Sequence, residues 1–386
     1  VTAATAIVGG SVAQQPGRGG LTWVFLQYVL GLKQLGWDVL FLDRLEPIMC
    51  VDRAGRQCDV KDSLNLRYFE AVMERFDLVG AYALLYNGKQ ESFGLPREKV
   101  LSVAERSAFL LNFNGFITDE EILARAPLRV FLDIDPGFGQ MWQELGLHHS
   151  FQHHDVYVTV GENIGTPQCT IPTCGLDWVT TPQPVVLDYW PAGPPEGTRF
   201  TSVASWRGPY GPVEYRGKTY GLRVHEYRKF VGLPCMSPED FEIALDIDSQ
   251  EVNDLALLRA NDWTLVDPRR VAGDPWTYQR YVQQSKAEFS VAKTMYVETW
   301  SGWFSDRSIC YLASGRPVLA QETGFSRLYP VQEGLLTFVT LDDAVAGVEE
   351  ISGDYDRHAR AARGIAEEYF DSKRVLSRLL EAVGVT

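Results

Sequence analysis

The sequence predicts an α/β protein of two Rossmann-like domains facing each other across a cleft. Three observations carry that expectation. The chain has 386 residues, enough for two domains at roughly 150 residues each. Short apolar runs alternate with segments of helical period in both halves, as in parallel sheets with crossover helices. Between the halves lies a stiff, irregular stretch carrying Pro182, Pro184, Pro191, Gly193, Pro194, Pro195 and Gly197. The first domain is therefore placed at residues 1–181, the linker at 182–198 and the second domain at 199–386.

The elements follow in order. Residues 6–12 form a short apolar strand, and Gly17, Gly19 and Gly20 make a flexible loop after it. Residues 21–35 carry Val24, Leu26, Tyr28, Val29, Leu32 and Leu35 near helical spacing, and Gly36 is placed to cap the helix. Strand 37–42 completes a first parallel unit. Helix 64–76, strand 108–113, helix 120–126 and strands 128–134 and 156–160 continue the pattern. Each strand opens at its C-terminal end into a polar, Gly-bearing loop, the edge where open α/β sheets bind ligands. The second domain starts at strand 200–206 and adds strands at 241–247, 263–266, 289–291, 318–320 and 336–339. Residues 341–383 read as helical and charged.

Composition narrows the function. Apolar residues at 45% and charged residues at 22% exclude disorder, collagen and coiled coil as descriptions of the whole chain. A net charge of −14 repels duplex nucleic acid and anionic membrane surfaces, so neither is an expected partner. No apolar run is long enough for a membrane span, and residues 1–13 lack the basic start of a signal peptide. The six cysteines fit no zinc spacing and read as reduced and mostly buried, in the cytoplasm.

The most informative stretch is 301–324. A loop at Gly302 leads to a helix capped by Ser305, with Ser308 at its third position, a stop at Gly315 and then a strand. Free amides and the dipole at such a helix start attract phosphate, and Arg307 adds a charge suited to a diphosphate. Two readings stay open on these residues alone: a phosphate cradle, or a structural cap with Arg307 paired to a surface acid.

Gly302-Trp303, Gly315-Arg316-Pro317-Val318 and Gln321-Glu322 resemble, in order and spacing, the nucleotide-sugar glycosyltransferases of the GT-B fold, families 1 and 4 in particular. Leu32-Lys33-Gln34-Leu35-Gly36-Trp37-Asp38-Val39 resembles the end of their first strand-helix unit. The resemblance implies that Ser305, Asp306, Arg307 and Ser308 face the donor diphosphate, and that Gln321, Glu322, Thr323 and Gly324 face the donor sugar. It implies that Gly19 and Gly20 approach the phosphates from the other wall. Arg207 and Lys218 then hold the diphosphate, with residues 208–217 between them like a hairpin insertion, and Val266 meets the nucleobase. It further implies a last helix that crosses back to the first domain as part of the hinge.

Two family features are missing. Gly302 and Cys310 stand where retaining members carry their Glu pair, and Gly19-Gly20-Leu21 lacks the inverting members' His. The base must come from elsewhere, at strand ends facing the cleft. Asp135 ranks first, His154 second and Glu162 third. The expected enzyme is a metal-independent hexosyl- or deoxyhexosyl-transferase, without cofactor, active as a monomer or homodimer. It takes a nucleotide sugar such as a UDP-sugar and a small-molecule acceptor, as in natural product glycosylation. A nucleotide-sugar epimerase of the same fold and a catalytically silent nucleotide-sugar-binding protein are the alternatives.

Overall fold

A computed structural model describes residues 3–88, 91–194 and 196–385. Pro195 of the expected linker lies outside the described residues.

The first domain contains strands β1 (Thr5–Gly9), β2 (Asp38–Leu45), β3 (Tyr82–Tyr86), β4 (Glu91–Gly94), β5 (Phe109–Phe113), β6 (Arg129–Asp133), β7 (Val156–Thr159) and β8 (Trp178–Thr180). Its helices are α1 (Gly19–Gln34), α2 (Leu64–Arg75), α3 (Arg97–Arg106), α4 (Glu120–Arg125) and α5 (Phe138–Glu144). The sheet order is β4-β3-β2-β1-β5-β6-β7-β8, parallel except for the edge strand β4. Strand order reverses between β1 and β5. The loop after β1 is tied down by buried Asp43, which accepts the amide of Ala13 at 2.7 Å and the side-chain amide of Gln14 at 3.1 Å.

The second domain contains β9 (Phe200–Ser205), β10 (Val213–Tyr215), β11 (Lys218–Tyr220), β12 (Phe241–Asp246), β13 (Thr264–Val266), β14 (Ala287–Ser290), β15 (Val318–Gln321) and β16 (Leu335–Phe338). Its helices are α6 (Arg223–Tyr227), α7 (Val252–Ala260), α8 (Pro268–Val271), α9 (Pro275–Gln284), α10 (Thr294–Thr299), α11 (Asp306–Ala313), α12 (Leu341–Gly353), α13 (Tyr355–Ile365) and α14 (Ser372–Ala382). The sheet is parallel throughout, in the order β13-β12-β9-β14-β15-β16, and reverses between β9 and β14. β10 and β11 form a separate antiparallel hairpin between β9 and α6.

Helix α1 is apolar almost all round, from Trp23 to Leu32, and is buried accordingly. One face covers the first sheet. The other meets α9 and α14, so the largest apolar cluster runs through both domains. Trp23 packs 4.9 Å from Trp190 and donates its indole N–H to the Pro275 carbonyl at 2.7 Å. The return segment and the linker touch directly. The Val185 amide donates to Phe370 O at 2.7 Å, and the Ser372 amide donates to Val185 O at 2.9 Å. Helix α14 then lays Leu376, Leu379 and Leu380 beside Leu32, Phe109 and Val130.

Among the described residues no helix is long and apolar enough to cross a membrane. All six cysteines are free, but only Cys50 and Cys310 are buried, so the expected burial holds for those two alone.

Buried Arg316 pins the linker to the second domain. It donates to the carbonyls of Gly193 (2.7 Å), Pro194 (3.1 Å) and Gln283 (2.7 Å). Arg316→Met removes charged donors from those carbonyls and should cost about 1.5–3 kcal/mol. Urea unfolding measures the loss, and limited proteolysis should show faster cutting near residues 193–194.

Candidate functional site

The C-terminal ends of both sheets face each other, so the loops after β6 and β7 meet those after β9, β14 and β15. At the reversal point of the second sheet two cations emerge. β14 ends at Ser290, the Ala292 amide is held by Gln321 Oε1 at 3.1 Å, and Lys293 follows in extended conformation as the residue before α10. Arg223 opens α6 after the hairpin. Both line a narrow crevice with Arg207 and Tyr210, closed by Phe138 from the first domain.

The Lys293 ammonium stands among three rings, 5.1 Å from Phe138, 5.3 Å from Tyr210 and 5.2 Å from Tyr296. It pairs with the carboxylate of Asp135, just past β6, and the Tyr296 hydroxyl donates to the same oxygen. Tyr296 is fixed by stacking on Trp303 at 4.3 Å. Burial pushes the Lys293 ammonium below its usual range, and Asp135 pulls it back. Arg223 makes no hydrogen bond or ion pair among the described residues, and its Nε is buried without a partner. Burial, and then the neighbouring Arg307 charge, press on its charged form. Arg207, by contrast, is paired with Glu251 at an exposed position. The charged groups that line the crevice are thus cations, with the Asp135 carboxylate in contact and Asp306 acting on Lys293 from farther off, and a cationic lining is the chemistry of an anion site.

Helix α11 starts as expected, with Ser305 Oγ accepting the Arg307 amide at 3.2 Å. Its side chains turn elsewhere. Arg307, expected at the diphosphate, points inward and is 8% exposed. It pairs with Glu288 of β14 and donates to Val203 O and Ser290 Oγ, both at 2.8 Å. The reason is Glu288, a carboxylate in a fully buried strand that needs a cation. Asp306 lies beside Trp23 and Gln27 of α1, where burial raises its carboxyl. Ser308 is fully buried and its hydroxyl has no partner among the described residues.

The loop after β15 meets the first domain. Asn163 donates its side-chain amide to Trp300 O (3.1 Å) and Gly324 O (3.2 Å), and its backbone amide to Ser301 O (3.0 Å). Gly324 has φ 96°, and a Cβ there would stand 2.4 Å from Asn163 Nδ2. Glu322 accepts the Gly324 amide at 2.6 Å, Thr323 donates to Trp303 O at 2.6 Å, and Gln321 donates to Glu226 at 2.7 Å. Gly19 and Gly20 abut the second domain directly. The Gly19 amide donates to Ala272 O at 2.8 Å, and Gly20 lies under the Tyr278 ring. Lys218 sits on the hairpin and pairs with Glu298, and Val266 ends the edge strand β13.

Of the candidate bases, Asp135 and Glu162 lie at the domain boundary. Glu162 accepts the Tyr329 hydroxyl, and burial raises its carboxyl from 4.5 to about 7. His154 stands before β7, at the strand end away from the cleft, with its ring against Phe131 and Nε2 3.0 Å from Asn112 Nδ2. Its ring thus contacts Asn112 near the end of β5 rather than any residue that lines the crevice. The sequence reading missed Arg223, Lys293 and Tyr296. A lysine directly beyond the end of a buried parallel strand was the available signal for Lys293.

No family model matches the chain, and no curated protein matches it in sequence. Solved structures match over nearly its whole length. An α-glucosyltransferase in complex with UDP has a TM-score of 0.61 at 10% identity, covering 99% of this chain and 100% of that one. HepE of Anabaena, in complex with UDP-glucose, gives 0.57 at 11% identity, covering 98% and 99%. AviGT4, a glycosyltransferase involved in avilamycin A biosynthesis, gives 0.54 at 12% identity, covering 98% and 97%. Another structure of the α-glucosyltransferase holds UDP and a 13-mer DNA. The chain has the two-domain GT-B fold that these enzymes share.

Two outcomes follow from these positions. Arg307→Ala leaves Glu288 buried without its cation and should cost about 3–5 kcal/mol in urea unfolding. Glu162 is raised in the folded chain, so its stabilising contribution is complete below pH 4.5 and is lost as pH rises through about 7. Glu162→Gln should remove that part of the slope, as measured by unfolding free energy across the same pH range.

Proposed function

We propose that the protein is a glycosyltransferase that moves a hexosyl or deoxyhexosyl group from a nucleotide sugar to a hydroxyl of a small-molecule acceptor. The observation that carries this is Arg223, buried at Nε without a partner beside Lys293, in an interdomain crevice at the reversal point of the second sheet. The donor diphosphate lies there, with its sugar toward Gln321, Glu322, Thr323 and Gly324 and its base toward Val266. The UDP and UDP-glucose complexes of proteins with this fold support a nucleotide-sugar donor.

In the reaction the acceptor oxygen attacks the anomeric carbon as the bond from that carbon to the diphosphate oxygen breaks. The bonding pair leaves with the nucleoside diphosphate, whose charge Arg223 and Lys293 meet without calling on a metal. The acceptor proton passes to a carboxylate at the first-domain wall, for which Asp135 is the best placed. Closure of the two domains keeps water from competing with the acceptor. The net charge of −14 supports a small acceptor over a nucleic acid. The role of AviGT4 in avilamycin A biosynthesis supports a natural-product acceptor.

A thermal-shift panel of UDP, GDP and dTDP tests the reading. At least one should raise the melting temperature, and Arg223→Ala should weaken that nucleotide by about 1.5–3 kcal/mol in calorimetry. If none of the three stabilises the wild-type protein, the reading fails.

A further inference from the structure

The crevice is already partly occupied by the protein itself. Asp135 belongs to the first domain, and both groups that hold it, Lys293 and the Tyr296 hydroxyl, belong to the second. Its backbone is fixed, because its amide donates to Asp133 Oδ1 at 3.1 Å and Pro136 follows. The side chain is thus the part that can move. Three rings surround the ammonium of Lys293, and Asp135 supplies its only ion pair among the described residues.

We propose that Asp135 is a built-in substitute for the donor's phosphate: in the empty cleft it neutralises Lys293 across the domain boundary, and a nucleoside diphosphate must displace it. This rests on the crevice being the diphosphate site. The one carboxylate in contact pairs with Lys293, and Arg223 beside it has no ion pair among the described residues. A diphosphate brings enough negative charge for both. Once it is bound, Asp135 faces an anion instead of an ammonium, and like charge drives it off Lys293. Donor binding and release of Asp135 are then a single event. The base is masked until the donor is in place, so an acceptor present without donor meets no free carboxylate at this wall. The ion pair also holds the two domains together while the cleft is empty.

Calorimetric titration of UDP, GDP and dTDP into wild type, Asp135→Asn, Lys293→Met and the double variant tests this. Removing the internal competitor should tighten nucleotide binding on the order of tenfold. In the Lys293→Met background the same Asp135→Asn change should give no gain, because Asp135 acts through Lys293. Equal or weaker binding by Asp135→Asn, or a gain that persists without Lys293, overturns the proposal while leaving the diphosphate site intact. If wild type binds none of the three nucleotides, the site itself falls and the proposal with it. A crystal of the wild type with nucleotide gives an answer that needs no variant. A phosphate oxygen should replace Asp135 at Lys293, and an unbroken Asp135–Lys293 pair in the occupied site refutes displacement.

Discussion

The structure depends on charge held out of water where the two domains meet. A buried ammonium or guanidinium is costly unless an anion faces it. Lys293 has Asp135 as its ion-pair partner, and among the described residues Arg223 has no such partner. Such an imbalance persists in a fold only when the rest of the molecule holds it in place. Here the parallel sheets do so. β9 and β14 diverge where strand order reverses, and the loops that leave them carry the cations outward. The first sheet presents its own strand ends opposite, with Asp135 past β6 and Asn163 past β7.

Most of the frame was legible in the sequence because it follows from local pattern. The strands of the second sheet sit within one or two residues of the apolar runs that mark them. The same holds for β5, β6 and β7, whereas β1 ends at Gly9, three residues before its apolar run does. The elements that escaped did so for different reasons: β3, Tyr82–Tyr86, is a plain apolar run that the reading passed over, and others have weak patterns. The edge strand β4 is polar, β8 has three residues, and α5 starts inside a Pro-Gly loop.

The site was less legible, for a different reason. Sequence places a residue on an element but does not say which way its side chain turns. Arg307 sits at a helix start, where an arginine commonly meets solvent or ligand, yet Glu288 on a neighbouring buried strand claims it. The clue was Glu288 itself, since a carboxylate inside a strand buried on both faces requires a cation nearby. Arg223 was hidden by the hairpin β10–β11, which separates it from the strand end it serves. Lys293 was hidden because the stretch before α10 matches no motif. His154 stands just before β7, where the sequence places it, but which neighbours its ring meets, Asn112 and Phe131, depends on the packing of other strands.

The chain passes between the lobes twice, once at the linker and once on the way back to α14, and the two passages are joined at Val185 by backbone hydrogen bonds to Phe370 and Ser372. A single tether would let one lobe swivel freely against the other. Two strands fastened side by side behave as a strip, soft to bending across its width and stiff to torsion. Any turn of one lobe against the other would have to bend that strip across its width rather than twist it.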